Sequence, residues 1–176
     1  MRIAIIGTHG CGKTTLCSEM YKSIWFDDFR FATEPMREVA RLGFSVNEHA
    51  DDASQLAMVS LHLNNLLQPK LVADRSLLDA YVYAKYLNET TLVVSKETVD
   101  FIDMLVNKNI RRYDYLFLCK PEFDLQADGF RSLDKKFQRD IDKLFDEEIK
   151  KRGLDVIKLT GDTKQRFTQV LRTLFI

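Results

Sequence analysis

The sequence predicts a three-layer α/β sandwich, a parallel sheet of five strands with helices on both faces. Two observations carry this expectation. Five short apolar runs alternate with amphipathic stretches of helical period, which is how strands buried on both sides and joined through helices read in sequence. The first run, Ile3-Ala4-Ile5-Ile6, passes directly into Gly7-Thr8-His9-Gly10-Cys11-Gly12-Lys13-Thr14-Thr15-Leu16, a glycine-rich loop and the first turn of a helix. At 176 residues, 1–176 suits one domain with one substantial core.

The elements follow in order. Leu16, Met20 and Ile24 recur every four residues, with Cys17 and Tyr21 beside them, predicting a first helix that ends near Trp25. Asp27-Asp28 break the pattern, and 29–33 reads as a second strand. Pro35 suits the first turn of a helix to about Leu42, with Gly43 as its stop. Asp51-Asp52 open a longer helix, striped by Leu56, Val59, Leu63, Leu66 and Leu67 and closed by Pro69; His62 falls on its flank. Leu71-Val72-Ala73 is a third strand delivering Asp74-Arg75-Ser76. Helices are expected over 77–87 and 96–106, and Tyr115–Cys119 is a buried strand. The stretch 120–134, with Pro121 and Gly129, is too polar and irregular for a core element. Phe137, Ile141, Leu144, Phe145 and Ile149 stripe another helix. A last strand over 156–159, a turn at Gly161 and a terminal helix through Phe167, Val170, Leu171 and Leu174 complete the chain.

Gly7 to Thr14 fits G-x-x-x-x-G-K-[ST] at every fixed position, with the required strand before and helix after. Gly7, Gly10 and Gly12 permit backbone angles and close approaches that a Cβ obstructs. The N–H groups of Gly7, Thr8, His9, Gly10, Cys11, Gly12, Lys13, Thr14 and Thr15 can then converge on phosphate oxygens, aided by the positive end of the helix. Lys13 can reach the β- and γ-phosphates of a bound nucleotide, and the Thr14 hydroxyl can ligate Mg²⁺. Cys11 reads as a tolerated small residue, with a reactive thiol as the alternative.

Ligands of such sheets gather at the carboxyl ends of the strands, so the loop, Glu34, Asp74 and 120–134 should share one edge. Asp74 is a candidate Mg²⁺ ligand; its other reading is an N-cap of the next helix, to which Ser76 has an equal claim. Arg75 can neutralise phosphate charge or pair with an acid. Glu34 is the candidate general base, or else an ordinary first-turn acid. Arg37, one turn on, can contact an anionic or polar acceptor, whereas Glu38 and Arg41 form a solvated face. In 120–134, read as a closing lid, Arg131 can stabilise the transferring phosphoryl group, with Gly129 giving flexibility; an incidental surface arginine is the alternative. Arg111 and Arg112 read as a solvated helix end.

Equal numbers of basic and acidic side chains, 26 each, give no overall field for nucleic acid or an anionic membrane. No apolar run approaches the roughly 20 residues of a membrane span, and the first run is too short for a signal peptide. Three cysteines without metal-ligand spacing suit a reducing cytoplasm. A homodimer is compatible with the sequence, and a polynucleotide acceptor is less favoured.

Gly7 to Thr15, Thr33-Glu34-Pro35, Asp74-Arg75-Ser76 with Ala80-Tyr81, and Ala127-Asp128-Gly129-Phe130-Arg131-Ser132 together resemble the P-loop nucleoside and nucleotide kinases. The last segment is most similar to the nicotinamide riboside kinase domain of bacterial NAD regulators and its AAA-like relatives; Thr-Glu-Pro and Asp-Arg-Ser are similar to deoxynucleoside and thymidylate kinases. The resemblance implies strand order 2-3-1-4-5, a lid, ATP with Mg²⁺ as donor, a nucleoside or nucleotide acceptor, and a base or proton-handling role for Glu34 or Asp74. The chain departs from these families in places. No arginine pair stands in 120–134 as in monophosphate kinases, Ser76 replaces the aromatic residue of thymidylate kinases, and Val72 removes the acid-x-acid pattern of riboside kinases. A regulatory ATPase or switch is the alternative class.

Overall fold

The computed structural model describes residues 1–122 and 132–175. Five strands, β1 (Arg2–Ile6), β2 (Arg30–Ala32), β3 (Leu71–Asp74), β4 (Tyr115–Cys119) and β5 (Ile157–Leu159), form one all-parallel sheet in the spatial order β2-β3-β1-β4-β5. This is the order that the family resemblance implied. Among the described residues seven α-helices cover it: α1 (Lys13–Tyr21), α2 (Pro35–Arg41), α3 (Asp52–Asn65), α4 (Leu77–Thr90), α5 (Lys96–Asn109), α6 (Lys135–Arg152) and α7 (Thr163–Phe175).

Strand side chains alternate between faces, and the continuous apolar runs therefore feed two cores. Ile3 and Ile5 of β1, Val72 of β3 and Phe117 of β4 pack with Leu16 and Met20 of α1 and Val170 of α7. Ala4, Ile6, Leu71, Ala73, Leu116 and Leu118 face the other way, into Val59, Leu78, Val82, Ile102, Ile141 and Phe145 from α3, α4, α5 and α6. Strands polar on one side could not be sandwiched in this way. β1, flanked by β3 and β4, lies in the middle of the sheet, so its carboxyl end is where the loop must emerge.

Three expectations need correction. The first helix ends at Tyr21 rather than near Trp25; Ser23 caps a separate 3-10 turn, Ile24–Phe26, by accepting from Trp25 N. Ile24 is consequently 80% exposed instead of continuing the Leu16–Met20 face. The buried face of α3 is Gln55, Val59 and His62, continued by Leu66, while Leu56 and Leu67 point to solvent. His62 is therefore in the interior and not on the flank. α4 and α5 also run about a turn beyond the expected 77–87 and 96–106. Gly43, with φ +88°, follows α2 as a stop. No described helix is long and apolar enough to cross a membrane.

Candidate active site

The glycine-rich loop leaves β1 at Gly7, whose φ is +131°. A Cβ built there would lie 2.4 Å from the Cys119 carbonyl oxygen at the end of β4, so only glycine fits between the two strands. Gly12, at φ +84°, turns the chain into α1 without a side-chain cap. Lys13 is buried and folded back: its Nζ donates to the Thr8 carbonyl and lies 3.5 Å from Cys11 Sγ. Burial and Arg75 oppose its charge, but Cys11, Asp74 and Tyr83 outweigh them and hold its pKa up. Cys11 is itself buried, donating to Thr8 O at 3.0 Å. Thr14 and Thr15 are exposed on the first turn of α1.

The loop is held by residues far along the chain, from α4, α6 and α7. Gln138 Nε2 donates to His9 O at 2.8 Å, and Thr8 Oγ1 donates to Gln138 O at 3.1 Å. His9 N donates to Tyr83 Oη at 2.9 Å, and the imidazole lies 5.0 Å from the Phe137 ring. Arg166 Nη1 donates to Cys11 O at 2.6 Å.

Beside the loop, β3 delivers Asp74 and Arg75. Thr14 Oγ1 donates to Asp74 Oδ2 at 2.6 Å, while the buried Oδ1 has no hydrogen-bond partner. Burial and Glu34 push the Asp74 carboxyl pKa up, against Lys13, Thr14 and Arg75. Asp74 is not the cap of α4: Ser76 takes that place in a capping box with Asp79. Arg75 has φ +84°, a region costly for a residue with a side chain. It is held there at both ends. Its N donates to Ile5 O at 3.0 Å, and its guanidinium donates from Nε to Glu34 Oε1 at 2.8 Å, with Nη2 also 2.8 Å from that oxygen. Nη1 lies 3.5 Å from Asp79 Oδ1, and the group lies over the Tyr83 ring at 5.2 Å.

Glu34 occupies the N-cap position of α2 yet makes no cap bond; its buried carboxylate is committed to Arg75. Arg37 Nε stands 3.8 Å from the other oxygen, Glu34 Oε2. Glu38 and Arg41 pair at 3.7 Å on an exposed face, as expected. Arg131 and Gly129, and with them the central part of the expected lid, lie outside the described residues.

A cleft partly open to solvent adjoins this cluster. Its apolar walls are Pro35, Met36, Ala50, Met58, Ala80 and Tyr83; its polar groups are His9, Asn47, Gln55, Arg75 and Asp79. Glu34, bound to Arg75 and next in the chain to Pro35, is not itself a wall residue. Gln55 is buried, with Oε1 unpartnered. Sequence reasoning missed Gln55, Asp79, Tyr83, Gln138 and Arg166. Of these only Asp79 had a readable signal, the Ser76-x-x-Asp79 capping box.

For Mg²⁺, the donors present are oxygens: the Thr14 hydroxyl and the unpartnered Asp74 Oδ1. That suits a hard cation bound through one or two protein oxygens, with phosphate and water completing the shell. Among the described residues there is no group of three or more His, Cys, Asp or Glu able to hold a metal ion unaided.

Sheet order, loop and strand-end cluster define an α/β domain with the fold of the P-loop kinases. Residues 2–166 match the AAA domain family, and the chain belongs to it. No curated protein matches the sequence. In fold the chain is similar to a deoxyadenosine kinase from M. mycoides with products dCMP and a flexible dCDP bound, at TM-score 0.70 and 19% identity, over 99% of this chain and 98% of that one. It is similar to NadR protein in complex with NR at TM-score 0.75 and 19% identity, covering 99% of this chain and 51% of that one, so it spans about half of NadR. Thymidylate kinase from Ehrlichia chaffeensis follows at TM-score 0.63 and 18% identity, over 99% and 98%.

Proposed function

We propose that the protein is an ATP- and Mg²⁺-dependent kinase, a single domain over 1–176, that transfers the γ-phosphoryl group to a nucleoside or nucleotide. The observation that carries this reading is the cleft: it opens beside the loop and is lined by Arg75 and by Pro35, the neighbour of Glu34. A switch that only hydrolyses ATP has no need of an apolar slot with polar ends beside its phosphate loop. The named neighbours in fold, a deoxyadenosine kinase, a nicotinamide riboside-binding protein and a thymidylate kinase, support the same class.

In this mechanism the loop N–H groups and Lys13 cradle the donor phosphates, which requires Lys13 to exchange its Thr8 carbonyl for phosphate oxygen. Thr14 and Asp74 would hold Mg²⁺, which neutralises charge on the phosphates when bound. A flat heterocycle lies between Met36, Met58 and Tyr83, with Gln55 and Asn47 meeting its polar edge. Glu34 accepts the proton as the acceptor oxygen bonds to the γ-phosphorus and the bond to the β–γ bridging oxygen breaks, releasing ADP. Arg75 orients Glu34 through its 2.8 Å contacts, and Arg37 and Arg131 serve the acceptor and the transferring group respectively. Arg75 is already shared between Glu34 and Asp79, and among the described cleft residues it is the one permanent cation. That favours an acceptor entering without its own phosphate. The chemistry suits a cytoplasmic enzyme of nucleotide metabolism.

Lys13→Ala tests the reading. Its ammonium donates only within its own loop, so the variant is expected to fold with an unchanged circular dichroism spectrum and to lose transfer from labelled ATP by at least about 10²-fold. Near-normal turnover in Lys13→Ala contradicts the site.

A further inference from the structure

Arg166 lies in the first turn of α7, far along the chain from the glycine-rich loop, and its side chain is only 1% exposed. Its guanidinium is a four-way tie. Nη1 donates to Cys11 O at 2.6 Å and Nε to Gly161 O at 2.8 Å; Nη2 donates to Lys120 O at 3.3 Å and Glu122 Oε2 at 3.1 Å. Glu122 Oε2 in turn accepts from Gly161 N at 2.8 Å. One planar group therefore joins the loop, the end of β4 and the turn between β5 and α7.

The Cys11 contact has a geometric consequence. The peptide unit is planar and trans, so the Cys11 carbonyl and the Gly12 N–H point in opposite directions. Pinning the carbonyl outward onto Arg166 turns the Gly12 N–H inward, to the side where phosphate oxygens would sit. The same logic operates two peptides earlier, where Gln138 Nε2 holds His9 O and so orients the Gly10 N–H. Glycine at 10 and 12 makes these peptides the easiest in the loop to rotate, so an outside constraint matters most there. Arginine suits the task because its rigid fork offers five donors; a lysine ammonium has three donors on a flexible stem and cannot span acceptors on opposite sides of a plane.

We infer that Arg166 is a positioning residue for the nucleotide, aiming the Gly12 N–H at the phosphates by holding the Cys11 carbonyl. The inference rests on the proposed reading of the loop as a nucleotide site.

The test is calorimetric titration of the full chain with Mg²⁺ and inorganic tripolyphosphate, and with Mg²⁺ and a non-hydrolysable ATP analogue. Wild type, Arg166→Lys, Arg166→Met and Lys13→Ala are compared below their unfolding midpoints. Tripolyphosphate has no base, so it reports on the loop and not on contacts near Gly161. Arg166→Lys is expected to weaken both ligands by about 10-fold or more, the loss expected for a charge-assisted hydrogen bond. The KM for ATP rises with it, while kcat at saturating ATP stays within about threefold, because binding is lost equally from ground and transition states. Arg166→Met weakens binding further where it folds; where it does not, Arg166→Lys decides. A folded Arg166→Lys that binds tripolyphosphate within about twofold of wild type overturns the inference. Failure of the underlying reading looks different: wild type and Lys13→Ala then bind both ligands equally, or not at all, whatever stands at position 166.

Discussion

Arg75 and Arg152 are two buried guanidiniums, each clamped by carboxylates and each laid over a tyrosine of α4, yet the structure gives them different work. Arg75 lies 5.2 Å from the Tyr83 ring and Arg152 4.6 Å from the Tyr81 ring. Arg152 joins Glu148 on its own helix at 3.1 Å and reaches Asp103 and Asn107 of α5; Lys85 of α4 completes the cluster 2.9 Å from Glu148. That is an ionic rivet through α4, α5 and α6. Arg75 instead stands at the carboxyl edge of the sheet on a strained backbone, beside the loop and on the cleft wall. Unpaired buried atoms do not separate the two clusters, since Asp74 Oδ1 marks one and Arg152 Nε the other. A dense set of charges is therefore not a site by itself. Place in the topology and a strained residue held against its preference are what distinguish Arg75.

Substitution sharpens this contrast. Glu34→Gln is expected to lower the chemical step by about 10²–10⁴-fold with ATP affinity little changed, if the carboxylate takes the acceptor proton. Arg75→Met, which removes the group holding that carboxylate, costs about 10²–10³-fold in kcat. Arg152→Met has the opposite profile: about 1–3 kcal/mol of stability is lost, because the buried Glu148 loses its arginine and keeps Lys85, while kcat/KM stays within about threefold. Urea midpoints and transfer rates on the same preparations check all three. Equal losses of activity from Arg75→Met and Arg152→Met would erase the distinction.

A smaller effect concerns His62, whose pKa is lowered from 6.5 to about 3 by burial first and by Arg75 second. The folded state resists protonation that the unfolded state accepts. The stabilisation is thus complete above about pH 6.5 and is lost as pH falls from there toward about 3. Its ceiling is on the order of 5 kcal/mol. His62→Leu should flatten the wild-type loss of urea stability between pH 7.5 and 5; an unchanged slope would place the titration elsewhere.

The same contrast shows what was legible in sequence. The loop could be read because it is contiguous and each residue type there answers a backbone requirement: Gly7 against Cys119 O, Gly12 at positive φ. The parallel sheet could be read because runs such as Ile3 to Ile6 serve two cores at once. The cleft could not, because α2, α3 and α4 bring its walls together from distant positions. Counting apolar residues selected Val59, Leu63 and Leu66, which do pack inward, along with Leu56 and Leu67, which do not, and passed over Gln55 and His62. A helix that buries polar residues beside its apolar ones hides part of its inner face from apolar periodicity. Arg166 and Gln138 were invisible for a related reason: each acts on a backbone carbonyl of the loop, and a carbonyl leaves no mark in sequence.

The measurement closest to the central claim is ATP consumption by the wild-type chain with Mg²⁺, alone and with a panel of nucleosides and nucleoside monophosphates, following the label of γ-labelled ATP. A kinase built on this cleft is expected to turn over ATP slowly alone, at least about 10²-fold faster with one member of the panel, and to place the label on that acceptor, because positioning the attacking hydroxyl supplies much of the rate. Fast ATP hydrolysis that no nucleoside or nucleotide alters, with all of the label in inorganic phosphate, would contradict it.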